Sequence, residues 1–348
     1  MSGFEYYSKK GYFKKSIPFL ALGVAIIFLL AALTGIDKVI NAVSQTSKRI
    51  YAVAFLVQVT AILTWLAKWK VLAGSIGLTV RTRRMFPILL SGIFVNTAVP
   101  SASVGGEPLR GYIFSKIGKV PIDQSFATIA ADKAVDGIPF SIILMLSLFF
   151  ILRMAELPFY AVILLVLASF LVVFGIIVYL YFIFHPEPAK TVIFWFINKL
   201  SRIISKFRPI EYIKDKIEYF MTGFGIKARE IFSNRERLLL ALLLASIYWF
   251  LNLMRMWVVF QAMGESVSFW AIGVATVMGL VIHLIPIPGG LGVVESVYTF
   301  IFSAAGVSPG AAFTAAILDR GISFWFTSLF SAGGIAWSGL KLSDIRED

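Results

Sequence analysis

Long apolar runs without charge dominate the chain and are separated by short segments rich in lysine and arginine. The uncharged runs cover residues 17–35, 50–67, 157–184 and 238–254. Each is close to the ~20 residues that an α-helix needs to cross a hydrocarbon core. The strands of a membrane barrel would alternate apolar and polar positions over ~10 residues, and these runs do not alternate. The pattern therefore predicts an all-α polytopic membrane protein.

Two further apolar segments, 85–121 and 268–308, are interrupted by proline and glycine. The first contains NTAVPSASVGGEPLRG and the second HLIPIPGGLGVVES. Backbone that is not helical is tolerated at membrane depth only where protein buries it or where it lines a wet cavity. We therefore expect each segment to enter the membrane and return as a re-entrant hairpin of two short helices. The prediction is six full spans and two hairpins, or eight spans if each hairpin is counted as one.

The second half of the chain repeats chemistry found in the first half. When the halves are aligned so that Trp69 meets Trp257, identical or similar residues meet in the same order, with a single gap near the end of each half. The other matches include Pro100 with Pro288, Glu107 with Glu295, and Asp132-Lys133 with Asp319-Arg320. This match indicates a duplicated arrangement of span, span, hairpin and span.

The repeat divides the chain into two predicted units. The first unit, 1–152, is predicted to hold spans 17–35, 50–72 and 122–152 and the hairpin 85–121. The second unit, 153–348, is predicted to hold spans 157–184, 237–262 and 309–338, the hairpin 268–308 and a loop at 185–237.

Basic residues are distributed unevenly between the predicted loops. If the N-terminus is cytoplasmic, the inside segments carry 22 Lys and Arg and the outside segments carry four. Because cytoplasmic loops collect basic residues, we predict a multi-pass protein of the cell membrane with both termini in the cytoplasm. The run 17–35 is then an uncleaved first span. The first unit begins inside and the second outside, so the repeats are inverted, and we expect their hairpins to pack against each other at the midplane.

The loop 185–237, also predicted to be cytoplasmic, contains an amphipathic stretch. Apolar residues recur at helical spacing from Ile193 to Phe207, opposite Lys199, Arg202 and Lys206. This pattern predicts an interfacial helix on the anionic inner leaflet. The net charge of +13 is thereby explained by the membrane, and we expect no nucleic-acid partner.

A small set of charged residues remains at the predicted membrane depth. Each costs at least ~2.5–3.5 kcal/mol to insert, so each should face the protein interior and have a partner. Because the repeat places Glu107 with Glu295 and Asp132 with Asp319, we predict that these residues and their charged neighbours line a path for the substrate. The set is Glu107, Arg110, Asp132, Lys133, Asp136, Glu295, Asp319 and Arg320.

Spacing along the helices predicts how some of these residues pair. Glu107 and Arg110 are three residues apart, so they can pair along one short helix. Asp132 and Asp136 are four apart and share one helix face.

The adjacent residues Asp319 and Arg320 point in different directions and need different partners. Lys133 and Arg320 are candidates to bind a phosphate, for which arginine offers a bidentate grip. The alternative is that such charges only form structural ion pairs that lock the hairpins to the following helices. We prefer this alternative, or an interfacial position, for Lys116, Lys119, Asp123 and Arg255.

Glycine and proline in both hairpins predict tight turns and close approach of the backbone. Backbone amides there, followed by helix N-termini, suit an anionic headgroup. These residues are Pro100, Gly105, Gly106, Pro288, Gly289, Gly290 and Gly292. The chain has no cysteine and two histidines, so we expect no disulfide, metal centre or cofactor.

Three motifs resemble a known family. They are PxxxxGGEPLRxYxF at 100–114, DKxxD at 132–136, and PIPGGLGxxE at 286–295 followed by Asp-Arg at 319–320. Together they resemble the transmembrane domain of lysylphosphatidylglycerol synthases, also found alone as flippase-like membrane proteins. The resemblance implies a domain that moves aminoacylated phospholipid between leaflets. We expect no synthase domain, since the chain continues only ten residues past its last predicted span.

The combined interpretation is a lipid flippase or scramblase without catalytic residues. The expected partners are anionic or aminoacylated phospholipid, or a polyprenyl phosphate, and a homo-oligomer is left open. An intramembrane enzyme acting on lipid-linked substrates and an ion-coupled solute transporter stay as alternatives. The predicted outside loops are short, with Asp37, Glu156 and Glu265 as their acids, which counts against the enzyme.

The predicted orientation is testable with single cysteines in this cysteine-free chain. The variant Ile210→Cys lies in the predicted cytoplasmic loop, so an impermeant maleimide should label it only after the membrane is opened. The variant Asn41→Cys lies in the segment 36–49 and should be labelled in intact cells. Labelling of position 210 from outside would overturn the topology.

Overall fold

A computed structural model describes residues 36–98, 105–154, 159–199, 210–282 and 290–337. Within these ranges the chain is helical and contains no strand, which confirms the all-α fold. The predicted span 17–35 and the central turns of both hairpins lie outside the described residues.

The helices follow one another with short connections. The first five are α1 (Ile36–Gln45), α2 (Lys48–Ser75), α3 (Thr82–Ala98), α4 (Gly106–Gly118) and α5 (Ile122–Met154). The chain continues with α6 (Phe159–Phe184), α7 (Pro186–Lys199), α8 (Ile210–Ser233) and α9 (Arg235–Met263). The last are α10 (Phe269–Ile282), α11 (Val293–Ala304), α12 (Pro309–Arg320), a π-helical segment (Gly321–Phe326) and α13 (Thr327–Trp337).

Four of the described helices are long and apolar enough to cross a membrane. The spans are Lys48–Ser75, Ile122–Phe150, Val162–Phe184 and Arg235–Met263, within α2, α5, α6 and α9. Many large apolar side chains of α6 point outward, and Phe170 is 63% exposed. Such a surface is stable when lipid rather than water surrounds it. These helices confirm a multi-pass membrane protein.

The antiparallel pair α2 and α9 forms the centre of the molecule. At one end the backbone N–H of Ser47 donates to the carbonyl of Ala262 at 2.7 Å. At the other end Arg237 lies against Gly74. With a rise of about 1.5 Å per residue, each of these helices is about 40 Å long. In the alignment of the two halves, α2 and α9 begin and end at corresponding positions to within one residue.

Each predicted hairpin consists of two short packed helices. In the first, α3 and α4 meet where Gly106 donates its N–H to Asn96 Oδ1 at 2.8 Å. In the second, α10 and α11 meet where Tyr298 covers Gly279. The return of each hairpin to its side of entry, and the inverted symmetry of the halves, stay predictions.

The hairpins differ from our expectation in what they pack against. The described helices of the two hairpins share no extensive interface with each other. Instead, α13 packs on α3, with the rings of Phe330 and Phe86 6.3 Å apart. Likewise α5 packs on α10, where Phe150 stacks on Trp270 at 4.1 Å. The last helix of each half thus covers the hairpin of the other half, so each hairpin has its apolar contact with that helix and not with the other hairpin.

The segment 185–237 is mostly helical. Trp195 and Phe196 on α7 are more than half exposed, which suits a helix at a lipid surface. Part of the predicted interfacial helix, 200–209, lies outside the described residues. The following helix α8 packs on α5, and Lys190 of α7 joins it through Glu218 at 3.2 Å.

The contact between α3 and α4 gives a stability prediction. A Cβ at Gly106 would overlap the backbone oxygen of Gly92, and no rotamer change relieves that contact. We expect Gly106→Ala to destabilise the protein by about 1–3 kcal/mol through overpacking, measured as thermal unfolding in detergent. The control is Gly175→Ala on α6, where a Cβ meets no atom within 4 Å. An equal loss in both variants would contradict the close approach.

Candidate functional site

Eight charged side chains are buried in the described part of the chain, four acidic and four basic. All of them form ion pairs, and they fall into two groups. The first charge cluster comprises Lys68, Arg110, Asp132 and Asp136, with Glu107 and Lys133 at its edge. The second charge cluster comprises Arg255, Glu295, Asp319 and Arg320. Each cluster has equal numbers of carboxylates and cations.

Asp132 on α5 is the centre of the first charge cluster. Its Oδ1 lies 3.1 Å from Lys68 Nζ, and its Oδ2 lies 2.7 Å from a guanidinium nitrogen of Arg110. The indole N–H of Trp65 donates to the same Oδ2 at 2.8 Å. Since Lys68 and Asp132 are fully buried, these partners replace the water that the charges would have in solution.

A second carboxylate, Asp136, pairs with Lys68 from the next turn of α5. The prediction that Asp132 and Asp136 share one helix face is therefore confirmed. The other cation, Arg110, lies over Trp69 with its central carbon 4.7 Å from the ring centroid. This cation–π contact favours a charged group in a dry environment.

Glu107 and Lys133, at the edge of the first charge cluster, are its partly exposed members. Lys133 Nζ lies 2.7 Å from Glu107 Oε1, and their side chains are 38% and 17% exposed. Asn96 on α3 also donates to Glu107 Oε1 at 3.1 Å. This ion pair connects the first hairpin to α5. The second oxygen of Glu107 is buried and accepts no hydrogen bond from the described residues.

In the second charge cluster, Arg255 on α9 grips Asp319 on α12 with two nitrogens. The distances are 2.8 Å from Nε to Oδ1 and 3.3 Å from Nη2 to Oδ2. The remaining guanidinium nitrogen donates to Gln58 at 2.7 Å and to Asn252 at 2.9 Å. Gln58 belongs to α2, so this hydrogen bond ties the two halves together.

Glu295 holds the start of α11 in the second hairpin. One of its oxygens accepts the backbone N–H of Gly292 at 2.7 Å, and the other lies 3.1 Å from Arg320 Nε. Gly292 and Gly290 have φ angles of 81° and 64°, which L side chains rarely adopt. The glycines at these positions thus shape the turn that presents its amide to Glu295. The π-helical segment begins directly after Arg320.

The ion pairs of the two clusters correspond. The pair Lys68–Asp132 and the pair Arg255–Asp319 each join residues 64 positions apart. In the first half Glu107 pairs with Lys133, the residue after Asp132. In the second half Glu295 pairs with Arg320, the residue after Asp319. Between the clusters lie Tyr248, whose ring centroid is 5.7 Å from Lys68 Nζ, and Asn252 one turn further along α9.

The sequence predicted most of these charged residues, but it did not predict all of their ion-pair partners. The prediction that Glu107 pairs with Arg110 is wrong, because their carboxylate and guanidinium each reach across to α5. The prediction that Asp319 and Arg320 take different partners is confirmed. Arg255 forms an ion pair as expected, although with α12 and not with a hairpin.

Sequence reasoning missed Lys68. It falls at the end of the predicted span 50–72, and its charge is one of the 22 that were assigned to the cytoplasmic side, whereas the structure buries it within α2. The available signal was that Lys68 falls within one position of Arg255 when the two halves are aligned. Trp65 and Gln58 carried no comparable signal.

The structure describes four of the seven predicted turn residues. Gly106 is at the closest approach of α3 and α4, whereas Gly105 has an ordinary helical φ of −69°. Gly290 and Gly292 shape the turn before α11. Pro100, Pro288 and Gly289 lie outside the described residues.

The comparisons with known proteins agree on one family. The family model described as lysylphosphatidylglycerol synthase TM region matches residues 20–331. A UPF0104 membrane protein of Methanothermobacter thermautotrophicus is 24% identical, covering 95% of this chain and 97% of its own. One of Pyrococcus horikoshii is 26% identical, covering 92% and 96%. One of Methanocaldococcus jannaschii is 26% identical, covering 89% and 91%.

The buried pairing gives a prediction for Lys68. The variant Lys68→Met leaves Asp132 and Asp136 buried with Arg110 as their remaining strong cation, so we expect a loss of about 3–5 kcal/mol in unfolding free energy. The control Lys227→Met breaks the surface pair with Glu230, a kind of pair worth about 0–1 kcal/mol. Both are measured by unfolding in mixed detergent micelles. Equal stability of the two variants would refute the central role of Lys68.

Proposed function

This chain belongs to the lysylphosphatidylglycerol synthase TM region family, and we propose that it is a lipid translocator. A phosphate-bearing headgroup passes along the α2–α9 pair, between the two hairpins, from one charge cluster to the other. The observation that carries the proposal is the correspondence of two ion pairs between the clusters. They are built from α2, α4 and α5 in one half and from α9, α11 and α12 in the other.

The energetic argument begins with the cost of charge at membrane depth. Each buried ionisable group costs several kcal/mol unless it is paired, and a buried ion pair is often no more stabilising than apolar residues of the same volume. Eight such groups are therefore a poor way to stabilise a membrane fold. A headgroup that crosses the membrane needs equivalent partners from either side, and the matched clusters provide them.

A difference between the clusters supports transport in steps. The side chains of Glu107 and Lys133 are 17% and 38% exposed, whereas those of Glu295 and Arg320 are 1% and 6% exposed. The first hairpin thus has an open ion pair while the second has a closed one. Alternating access requires such unequal states, because a path open at both clusters at once would leak.

Lys133 is the first candidate to meet the substrate. Its ammonium group is compact and mobile, so it can exchange Glu107 for a phosphate oxygen as a point charge. Glu107, once released, has two oxygens that can accept hydrogen bonds from an amine on the same headgroup. The chemistry fits a substrate that carries a phosphate with or without an amine, such as an anionic or aminoacylated phospholipid or a polyprenyl phosphate.

For the headgroup to pass the second charge cluster, Arg320 has to release Glu295. The guanidinium then offers a planar fork to phosphate, while the other oxygen of Glu295 keeps its hydrogen bond from the amide of Gly292 at the start of α11. The π-helical turn Gly321–Phe326 follows immediately, and such turns mark places where helix hydrogen bonding can rearrange. The second cluster would open by this local change.

The experiment uses the purified protein in vesicles with labelled lipids. Lys133→Ala, Glu295→Gln and Arg320→Ala should each slow leaflet exchange by tenfold or more, equivalent to about 1.4 kcal/mol of barrier. The matched control is Lys227→Ala, which breaks a surface ion pair of similar length on α8 and should leave the rate unchanged. Thermal unfolding of each variant separates loss of transport from loss of fold.

The lipid panel contains phosphatidylglycerol, an aminoacylated phosphatidylglycerol and a polyprenyl phosphate. If the wild type moves none of them faster than empty vesicles do, the translocator proposal is wrong. Recovery of chemically altered lipid would identify an enzyme instead. Uptake of a water-soluble solute that depends on an ion gradient would identify a solute transporter.

A further inference from the structure

A basic groove lies at one end of the α2–α9 pair, apart from both charge clusters. Its volume is about 700 Å³. It is formed by the last turns of α2, the connection to α3 and the first turns of α9. The lining includes the cations Lys70, Arg81 and Arg237 and the apolar residues Ala67, Val71, Leu78, Val80 and Leu240. No acidic residue is among its lining residues in the described part of the chain.

The groove lies at the level where a membrane meets water. Gly74 is one residue from the end of α2, and Arg237 is the third residue of α9. Both helices are long enough to span the hydrocarbon core, so their ends reach the headgroup region. A Cβ at Gly74 would overlap a guanidinium nitrogen of Arg237. The absence of a side chain at Gly74 therefore lets the guanidinium of Arg237 approach α2 closely.

The three cations have no carboxylate partner among the residues that the structure describes. Lys70 donates to Thr82 Oγ1 at 2.6 Å, which fixes the ammonium at the groove without neutralising it. The N-termini of α3 and α9 also approach this end, and their helix dipoles favour negative charge. The groove thus combines three uncompensated positive charges with a field that attracts anions.

The walls of the groove are apolar and continue toward the middle of the membrane. Leu240 is 46% exposed, and its neighbours Leu239 and Leu243 on α9 are 67% and 57% exposed. These side chains form an apolar strip that starts at the cations and runs along the span. A ligand that fits both parts has an anionic head and a hydrocarbon tail.

The repeat does not account for this groove. The alignment of the two halves places Val258 opposite Lys70, Phe269 opposite Arg81, and Arg49 opposite Arg237. Two of the three cations therefore have no counterpart at the other end of the helix pair. A general excess of basic residues in cytoplasmic loops explains charge on this side, but it does not explain why three cations surround a concave apolar surface.

We propose that this groove is a binding site for an anionic membrane phospholipid. The phosphate is held by Lys70, Arg81 and Arg237, and one acyl chain follows Leu240 and Leu243. The bound lipid bridges α2, α9 and the start of α3, so it stabilises the central helix pair and stays in place while other lipids are moved. The site is independent of the translocation path, and its test does not use transport.

The test measures lipid binding to the full-length protein, purified in detergent and stripped of lipid. Short-chain phosphatidylglycerol should raise the melting temperature, whereas short-chain phosphatidylcholine at the same concentration should not. In the variant Lys70→Gln/Arg81→Gln/Arg237→Gln, the concentration of phosphatidylglycerol needed for half of the shift should rise at least tenfold. The control Arg83→Gln/Arg84→Gln removes two exposed charges next to the groove and should leave that concentration unchanged.

A second variant keeps the charges and fills the groove. Ala67→Phe should weaken phosphatidylglycerol binding to a similar extent, and it serves as the decisive variant if the triple variant does not fold. Inorganic phosphate at the same concentration should give no shift, because it lacks the acyl chain. Equal weakening in the Arg83/Arg84 control, an equal shift with phosphate alone, or unchanged binding in Ala67→Phe would each overturn the proposal.

Discussion

The need to pair every charge that leaves water governs the interior of this protein. The described part of the chain buries four carboxylates and four cations, and each of them has an oppositely charged partner. Because the surrounding lipid offers no solvation, these pairs fix where α2, α5, α9 and α12 can lie relative to one another. Asp132 and Asp319 lie at the centre of the two groups, and the glutamate of each hairpin is attached at the side.

The α2–α9 pair brings the two groups of charge together. Lys68 and Arg255 occupy related places on these helices, and Gln58 of α2 donates to Thr327 of α13 while accepting from Arg255. The two halves are therefore joined by buried hydrogen bonds as well as by apolar contacts. The last helix of each half packs on the hairpin of the other half, so each hairpin is in direct contact with the opposite half.

The two clusters share two corresponding ion pairs but differ in access. In the first, a lysine and a glutamate at the hairpin edge are partly exposed, and in the second an arginine and a glutamate are enclosed. Lysine is a mobile point charge and arginine a rigid fork, so the exposed position carries the group that exchanges partners more readily. The difference in side chain thus agrees with the difference in access.

The sequence by itself determined the class of the protein and the positions of most buried charges. These features are local or periodic signals that can be recognised without knowing the tertiary structure. They are the uncharged runs of membrane-spanning length, the apolar segments interrupted by proline and glycine, and the repeated positions Glu107/Glu295 and Asp132/Asp319. Only the tertiary structure decided which charges pair. Glu107 pairs with Lys133 on α5 and not with Arg110 on its own helix. Lys68 is buried because Asp132, on a helix far away in the chain, is its ionic partner. Spacing along one helix sets which partners are reachable locally, whereas the packing of separate helices sets which partner is closest once water is excluded.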